Sequence, residues 1–213
     1  MASMRDIKRR IKSVQSTQQI TKAMNLVAAS KLQRARGSLE TSKPFFEETK
    51  RVISNIVSSS KNIKHKYLDS KEGEDVAVIV LGADRGLCGG YNSNIHNRAI
   101  SLNSEFKNCR FITVGSRAYE FLRKRGVNIV KSYFGISEKP LYDDAREIGE
   151  MVLEMFTKGE ISEVYLVSTE FISTITHNVR ATKILPIDSK HFENDNAKYS
   201  TMIYEPDRKS TLV

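Results

Sequence analysis

The stretch Met4–Leu39 constrains the fold more than any other part of the chain. Its apolar residues recur every three or four positions, which predicts one long helix with an apolar stripe. A polar interlude, Gln15–Gln19, divides them into two groups: Met4, Ile7, Ile11 and Val14, then Ile20, Met24, Val27, Ala28, Leu32, Ala35 and Leu39. Ser3 precedes the first apolar residue and Asp6 follows in the first turn, so we expect the helix to be capped there.

The helical pattern continues to about Val57, so we assign residues 1–57 to the helix. Pro44 interrupts the good helix formers and predicts a kink or a break, because proline cannot donate a hydrogen bond to the preceding turn. If the helix is continuous, about 55 residues at about 1.5 Å each give a rod of roughly 80 Å. A globular domain of this size has no need of such a rod.

The first 36 residues carry nine lysines and arginines and one acid, Asp6, whereas the whole chain has a net charge of +9. A surface helix that is stable by itself normally alternates acids and bases at i,i+4. The spacing is that of a coiled coil, so the apolar stripe predicts a second long helix as its cover. The charge predicts an acidic partner. The alternative is a solvated basic face on an ordinary helix.

A polar linker, residues 58–75, leads to a region of alternating strands and helices. Val76–Leu81 is a continuous apolar run, which is typical of a strand buried on both faces. Further strands are predicted at 110–114, 127–130, 163–168 and 199–204, an extended segment at 171–187, and helices at about 93–102, 116–125 and 142–157. Residues 76–206 are therefore expected to form a small α/β, Rossmann-like sheet domain, and residues 207–213 the first turn of another helix.

Composition leaves several classes of partner open. The pI near 9.5 suggests nucleic acid or an anionic membrane. The two cysteines, Cys88 and Cys109, have no paired spacing and indicate free thiols in a reducing compartment. No stretch reaches 18 apolar residues and the N-terminus lacks the apolar run of a signal peptide. We therefore expect a soluble, cytoplasmic-side chain that meets a membrane only through partners.

The glycine-rich turn 82–92 after the first strand is the main candidate for chemistry. Glycines before a helix could cradle a phosphate, but these fit neither common nucleotide-binding motif. Residues 86–90 match G-x-C-x-G, a thiol version of the nucleophile elbow, with Cys88 as nucleophile and His177 as the one histidine that could serve as base. The structural alternative, a tight turn with a small cysteine, is favoured over both.

Other sites have weaker support. No cysteine or histidine pair has metal-ligand spacing. Asp143, Asp144 and Glu147 fit the acidic first turn of a helix better than a site. Nucleic-acid binding is an alternative, since five cations near the N-terminus could follow phosphates: Arg5, Lys8, Arg9, Arg10 and Lys12. However, no aromatic residue occurs in the first 44 positions to stack on bases.

Three motifs resemble one family, the gamma subunit of bacterial F-type ATP synthase. The N-terminal signature is Ile20–Met24 with Val27–Leu32, the turn after the first strand is Asp84–Asn92, and the end of the α/β domain is Tyr204–Pro206. They occur in the family's order and separation, across the whole chain. The resemblance implies a non-catalytic rotor shaft in the central stalk, which couples ion translocation to ATP synthesis or hydrolysis without a catalytic, cofactor or metal residue of its own.

The resemblance also implies the partners: the alpha and beta subunits of the catalytic head, the epsilon subunit and the ring of c subunits, with no nucleic acid. The expected head contacts lie on the first helix: Ile7, Arg10, Ile11, Val14, Ile20, Lys22 and Met24. Tyr204 and Glu205 are expected near the c ring and epsilon. The expected location is peripheral, on the cytoplasmic face of the bacterial cell membrane.

One departure from the family follows from the resemblance. The family continues through a second long shaft helix, whereas this sequence ends at Val213. We therefore expect a truncated chain, with a folded α/β domain but without the helix that would cover the N-terminal stripe. By itself such a chain is expected not to transmit rotation. A cysteine hydrolase built on Cys88 and a basic-helix nucleic-acid binder remain the competing interpretations.

Overall fold

The computed structural model describes residues 3–59, 65–174 and 176–187. The chain divides into two compact units, one containing the N-terminal helix and one containing the sheet. The predicted strand 199–204 and the predicted helical turn 207–213 lie outside the described residues. In the described part of the chain, none of the helices combines the length and the hydropathy that crossing a bilayer requires.

The first unit contains helix α1, Met4–Ser59, a continuous run of 56 residues. Its start is capped as expected, since the Ser3 hydroxyl accepts a hydrogen bond from the Arg5 N–H at 3.3 Å. Pro44 lies inside the helix, so it does not end it. The helix also extends two residues beyond the predicted boundary at residue 57, to Ser59.

Within the described ranges, the second unit contains a mixed sheet of five strands with helices on both faces. Its elements are β1 (Asp75–Leu81), α2 (Tyr91–Glu105), β2 (Asn108–Val114), α3 (Ser116–Lys124), β3 (Ile129–Tyr133), α4 (Tyr142–Thr157), β4 (Glu163–Phe171) and β5 (His177–Leu185). The strand order is β3-β2-β1-β4-β5. The first four strands in this order are parallel, and β5 runs antiparallel to β4. The α/β fold class is confirmed.

Strand β1 is central, and its continuous apolar sequence follows from burial on both faces. Its alternate residues Val76, Val78 and Val80 pack with α2 and α3 in one buried cluster. The intervening residues Ala77 and Ile79 pack with α4 in a second cluster. Because successive side chains of a strand point to opposite faces, one apolar run supplies both layers of the core.

The third strand was predicted at 127–130, which is wrong by two or three residues. It begins at Ile129 and ends at Tyr133. β3 is an edge strand, so half of its residues face solvent and can be polar. Lys131 is such a residue, whereas Ser132 is half-buried and its hydroxyl accepts a 2.9 Å hydrogen bond from Thr113. An apolar run therefore does not mark this strand.

The extended segment predicted at 171–187 is not one piece. Strand β4 extends to Phe171, beyond the predicted end at residue 168, and β5 begins at His177. The two strands pair antiparallel from Phe171↔His177 to Val164↔Leu185, which makes a hairpin. The sequence between the strands carries no Asn-Gly or Asp-Gly pair, so the turn gave no strong signal.

Candidate functional site

The apolar stripe of α1 is exposed in this structure. Every residue from Ser3 to Val52 is exposed, including Met4 with 71% of its surface accessible. All seven expected head contacts lie in the helix among these exposed residues: Ile7, Arg10, Ile11, Val14, Ile20, Lys22 and Met24. Among the described residues, none covers the stripe. Helix α1 therefore lacks the packing of an apolar face that normally stabilises a helix in water.

The stripe of α1 is not straight. At 3.6 residues per turn, the group that begins at Ile20 lies roughly a third of a turn around the helix from the group that contains Ile7 and Ile11. In the polar interlude between the groups, the Thr17 hydroxyl donates a hydrogen bond to the Ser13 carbonyl at 3.0 Å. A continuous α1 thus presents two apolar faces in two directions. A partner would have to meet them separately or wrap around the helix.

The charge of α1 also differs between its halves. The ion pairs in the second half include Arg36–Glu40 at 2.8 Å, Lys43–Glu47 at 3.6 Å and Arg51–Glu48 at 2.5 Å. The first 36 residues hold nine lysines and arginines but one acid, Asp6, so their positive charge is largely unbalanced. The second half is therefore electrostatically close to balanced, whereas the first half suits an acidic surface.

The turn after β1 is built around the carboxylate of Asp84. It accepts hydrogen bonds from the Ser137 hydroxyl at 2.6 Å and from the Ser116 N–H at 2.9 Å. Burial by itself would raise the pKa of Asp84, but the hydrogen bonds from Ser137, Gly135 and Ser116 hold it below its usual value. The loops that follow β1, β2 and β3 are thereby tied to one ionised group.

This arrangement weakens the nucleotide-binding interpretation. A phosphate cradled by the turn would be held at the N-terminus of α2, the helix that follows it, and at the neighbouring N-terminus of α3 the N–H of Ser116 already binds the Asp84 carboxylate. A cavity of about 550 Å³ lies beside the turn and has a mostly apolar lining. Its charged lining residues are Asp84, Glu138, Asp144 and Arg85, and the Arg85 guanidinium is paired with Glu138 at 2.7 Å. Such a lining repels phosphate.

Two glycines allow the turn to approach α3 closely. A Cβ on Gly82 would lie 2.8 Å from the Cβ of Ala118. Gly115 has a φ of +95°, and a Cβ there would lie 2.8 Å from the backbone carbonyl carbon of Ala83. Both positions need a residue without a side chain, so these two glycines serve packing and turn geometry rather than phosphate binding.

The cysteine elbow does not assemble a catalytic pair. The Cys88 sulfur lies 3.0 Å from the Asn92 amide nitrogen and 3.8 Å from the Arg85 carbonyl. His177 lies at the start of β5, opposite Phe171. Among the described residues, none of the hydrogen-bond partners of the Cys88 thiol is a histidine. The thiol therefore has no base to activate it, and the structural interpretation of the turn is the better one.

The remaining acidic candidates have structural roles. The Asp144 carboxylate accepts a 2.9 Å hydrogen bond from the Leu141 N–H and so caps α4. Glu147 lies 3.2 Å from the Tyr133 hydroxyl and 3.5 Å from the Lys131 ammonium. Over the described ranges, no three His, Cys, Asp or Glu side chains come together in a way that could hold a metal ion.

The motif G-x-C-x-G gave no indication that Leu87, at the tip of the same turn, has an unusual conformation. Its φ is +61°, the one positive φ of a non-glycine residue in the described part of the chain. The left-handed conformation costs leucine roughly 1–2 kcal/mol. The side chain is 94% exposed, so its own packing does not repay that cost. The three glycines in the motif indicate a turn with positive φ angles, but nothing in the sequence shows that Leu87 has one of them.

Tyr204 and Glu205, the expected contacts of the c ring and epsilon, lie outside the described residues. The head contacts of α1 lie in a different unit of the chain from the turn after β1. Two separate surfaces, the exposed α1 and the edge of the sheet that carries the turn, are thus the candidate sites. Neither contains a constellation suited to catalysis within the ranges described.

Comparisons with known proteins identify the family. A family model described as ATP synthase matches residues 3–213. The ATP synthase gamma chain of Alkaliphilus metalliredigens is 42% identical over 213 residues, covering 98% of this chain and 74% of the relative. That of Lachnoclostridium phytofermentans is 41% identical over 219 residues, covering 100% and 75%. A sodium-ion-specific gamma chain of Acetobacterium woodii is 41% identical over 188 residues, covering 88% and 62%.

The fold agrees with this assignment. A chain of the central stalk and c ring of the mitochondrial ATP synthase of Tetrahymena thermophila aligns with a TM-score of 0.64 and 22% identity. The alignment covers 90% of this chain and 83% of that one. The chain therefore belongs to the ATP synthase gamma-chain family, the non-catalytic central-stalk subunit of the F-type enzyme.

Proposed function

We propose that α1 is the part of the rotor shaft that the alpha and beta subunits contact, and that the sheet unit serves the epsilon subunit and the c ring. The observation that carries the first part is the exposed apolar stripe of α1 beside an excess of positive charge. Membership of the gamma-chain family supports it. Rotation of an asymmetric shaft changes which contacts each catalytic subunit makes, and such differential contact is what shifts nucleotide affinity.

The two groups of apolar residues on α1 give the shaft its asymmetry. Ile7, Ile11 and Val14 lie on one face of the helix, and Ile20 and Met24 lie on another. Arg10 and Lys22 are cations in the half of the helix that has few acids. We propose that these two cations meet acidic side chains of the head, which would form and release as the shaft turns.

Tyr204 and Glu205 are proposed as contacts of the c ring and epsilon on the resemblance of Tyr204–Pro206 to the family motif. The proposed location is the cytoplasmic face of the bacterial membrane, with the membrane reached through the c ring. The expected result is that the chain sediments with membranes when the remaining subunits are co-expressed and stays in the supernatant when the c subunit is omitted. Membrane association without the other subunits would contradict this.

Charge reversal tests the contact of α1 with the head. We expect Arg10→Glu and Lys22→Glu each to weaken co-purification with alpha and beta subunits by about tenfold, because each places a like charge against an acidic surface. Lys43→Glu is the matched control, since Lys43 lies in the balanced half of the helix, 3.6 Å from Glu47. Equal losses for all three variants would contradict the proposal. If the chain instead slowed the migration of generic DNA in a gel, and salt weakened this effect, the nucleic-acid alternative would be favoured.

A further inference from the structure

We propose that Leu87 is an anchor residue that inserts into an apolar hollow on another protein subunit of the complex. The inference rests on the proposed function, because it requires a partner subunit at the sheet unit. It concerns the tip of the turn after β1, the segment Asp84–Gly90. The hollow would accommodate one leucine side chain and would carry carbonyl or carboxylate oxygens at its rim.

The first argument is the conformation of Leu87. A single exposed leucine needs no explanation. A leucine with a φ of +61° does, because L-residues with a branched side chain avoid the left-handed region. Two neighbouring positions in the turn, Gly86 and Gly89, are glycines, so the sequence could place glycine where it is needed. A strained residue with a 94% exposed apolar side chain is thus costly to the free chain in both its backbone and its solvation.

The second argument is that the turn holds Leu87 rigidly. The Asn92 side chain accepts a hydrogen bond from the Ala83 N–H at 3.2 Å, and its amide donates to the Arg85 carbonyl at 3.2 Å. The same amide nitrogen lies 3.0 Å from the Cys88 sulfur. These contacts brace the turn on both sides of its tip. A rigid tip loses little conformational entropy when it binds, which favours an anchor role.

The third argument is the surface around the turn. β1, β2 and β3 are parallel, so the loops that follow them lie at one edge of the sheet. Phe134 and Leu141 are exposed apolar residues in the loop that the Asp84–Ser137 hydrogen bond ties to the turn, and Tyr142, also exposed, begins α4 directly after it. An apolar tip with further apolar residues at the same edge is typical of the buried part of a protein interface.

The charge around the turn indicates whether Leu87 contacts a protein or a membrane. The segments 84–87 and 134–147 together hold five acids and three bases. A surface with excess negative charge is repelled by anionic lipid headgroups. The guanidinium of Arg85 is paired with Glu138, and its side chain is 75% exposed, so its remaining N–H groups face solvent. They would donate to oxygens at the rim of a protein hollow.

Substitutions at position 87 separate the anchor role from the strain. Leu87→Asn removes the apolar side chain and tolerates a positive φ, whereas Leu87→Met keeps an apolar side chain of similar size. Wild type and each variant would compete for incorporation into the complete complex, with mass spectrometry to measure the ratio. We expect Leu87→Asn to be disfavoured by about 10- to 100-fold, because a buried leucine side chain is lost, and Leu87→Met by less than about threefold.

The stability of the free chain provides the second readout. Leu87→Asn is expected to leave the midpoint of urea unfolding unchanged or higher, since it relieves strain and replaces a side chain that is 94% exposed. Equal incorporation of Leu87→Asn and wild type would overturn the inference. Weaker incorporation together with a lowered unfolding midpoint would also overturn it, because the residue would then be structural.

A photocrosslinking amino acid at position 87 identifies the partner that contacts this position. In the assembled complex we expect a crosslink to another protein subunit. A crosslink to lipid, or binding of the chain to vesicles of phosphatidylethanolamine and phosphatidylglycerol that Leu87→Asn abolishes, would overturn the inference in favour of a membrane. Failure of the wild-type chain to enter the complex would refute the proposed function, and the anchor role with it, whereas incorporation without any crosslink from position 87 refutes the anchor role alone.

Discussion

The carboxylate of Asp84 accepts a 2.6 Å hydrogen bond from the hydroxyl of Ser137, 53 residues further along the chain. It also accepts one from the N–H of Ser116 at the start of α3. The loops that follow the parallel strands β1, β2 and β3 are therefore joined by one carboxylate. This joint positions the turn that carries Leu87 and closes one side of the cavity beside it.

We expect Asp84→Asn to lower the free energy of unfolding by about 1–2 kcal/mol, because the amide retains one acceptor oxygen but loses the charge-assisted bonds. Ser137→Ala removes one donor and is expected to cost about 1 kcal/mol. Urea unfolding followed by tyrosine fluorescence is a suitable measurement. Ser104→Ala is the control, since its 3.4 Å bond to the Ile100 carbonyl is weak and exposed. A Ser137→Ala variant as stable as this control would contradict the prediction.

The contribution of Asp84 should also depend on pH. Its pKa is lower in the folded chain than the ordinary value of 3.8. The carboxylate therefore stabilises the fold fully above about pH 4, and that stability is lost as the pH falls through the folded pKa. The difference between wild type and Asp84→Asn should accordingly narrow at acidic pH. A difference that stays constant down to about pH 3 would contradict the assignment of the low pKa to Asp84.

His96 predicts a second pH dependence. Its ring stacks on Phe121 with centroids 4.3 Å apart, and Nε2 has no hydrogen-bond partner in the described part of the chain. Burial lowers the pKa of His96 below 6.5. The unfolded chain therefore takes up the proton at a higher pH than the folded chain, so stability is complete above about pH 6.5 and falls as the pH drops below it.

The measurement is urea unfolding at about pH 7.5 and about pH 5.5 for wild type and His96→Phe. The phenylalanine keeps the stacking and cannot be protonated. We expect the wild type to lose more stability between the two pH values than the variant does. His177→Phe is a control, because His177 is exposed at the start of β5. If His96→Phe and wild type lose the same amount, another group is responsible.

Gly115 is expected to tolerate no side chain. Gly115→Ala would combine a φ of +95° with a 2.8 Å approach to the backbone of Ala83, and we expect it to cost about 3 kcal/mol or more. Gly126→Ala is the matched control, because Gly126 has a φ of +69° and no atom within 4 Å of the added Cβ. It should cost about 1 kcal/mol. Equal effects would show that the close approach is not what requires glycine at position 115.

Gly149 offers a stabilising change. It lies inside α4, and a Cβ there would meet nothing within 4 Å. Gly149→Ala should raise the free energy of unfolding by about 0.5–1 kcal/mol, because alanine loses less backbone entropy in a helix than glycine does. Thermal unfolding of the two chains measures this. A destabilised variant would show that the space beside Gly149 is occupied.

The sequence predicted the elements whose residues share one environment. Helix α1 was found from its spacing of apolar residues and its Ser3 cap, and β1 from its unbroken apolar run. The elements placed wrongly have mixed environments. β3 is an edge strand with polar residues such as Lys131, and the hairpin of β4 and β5 turns without a strong turn motif. Period and propensity do not reveal an edge or a long-range pairing.

The candidate site divides in the same way. The long basic helix, the α/β order and the glycine turn can be predicted from the residues alone, because local spacing and charge are properties of neighbouring residues. The fold revealed that Asp84 binds Ser137 and Ser116, and that Leu87 is left-handed and exposed. It also showed that, among the residues described, no histidine is a hydrogen-bond partner of Cys88. Those facts depend on which distant loops the parallel strands bring to one edge, and contacts between distant segments leave no periodic trace in the chain.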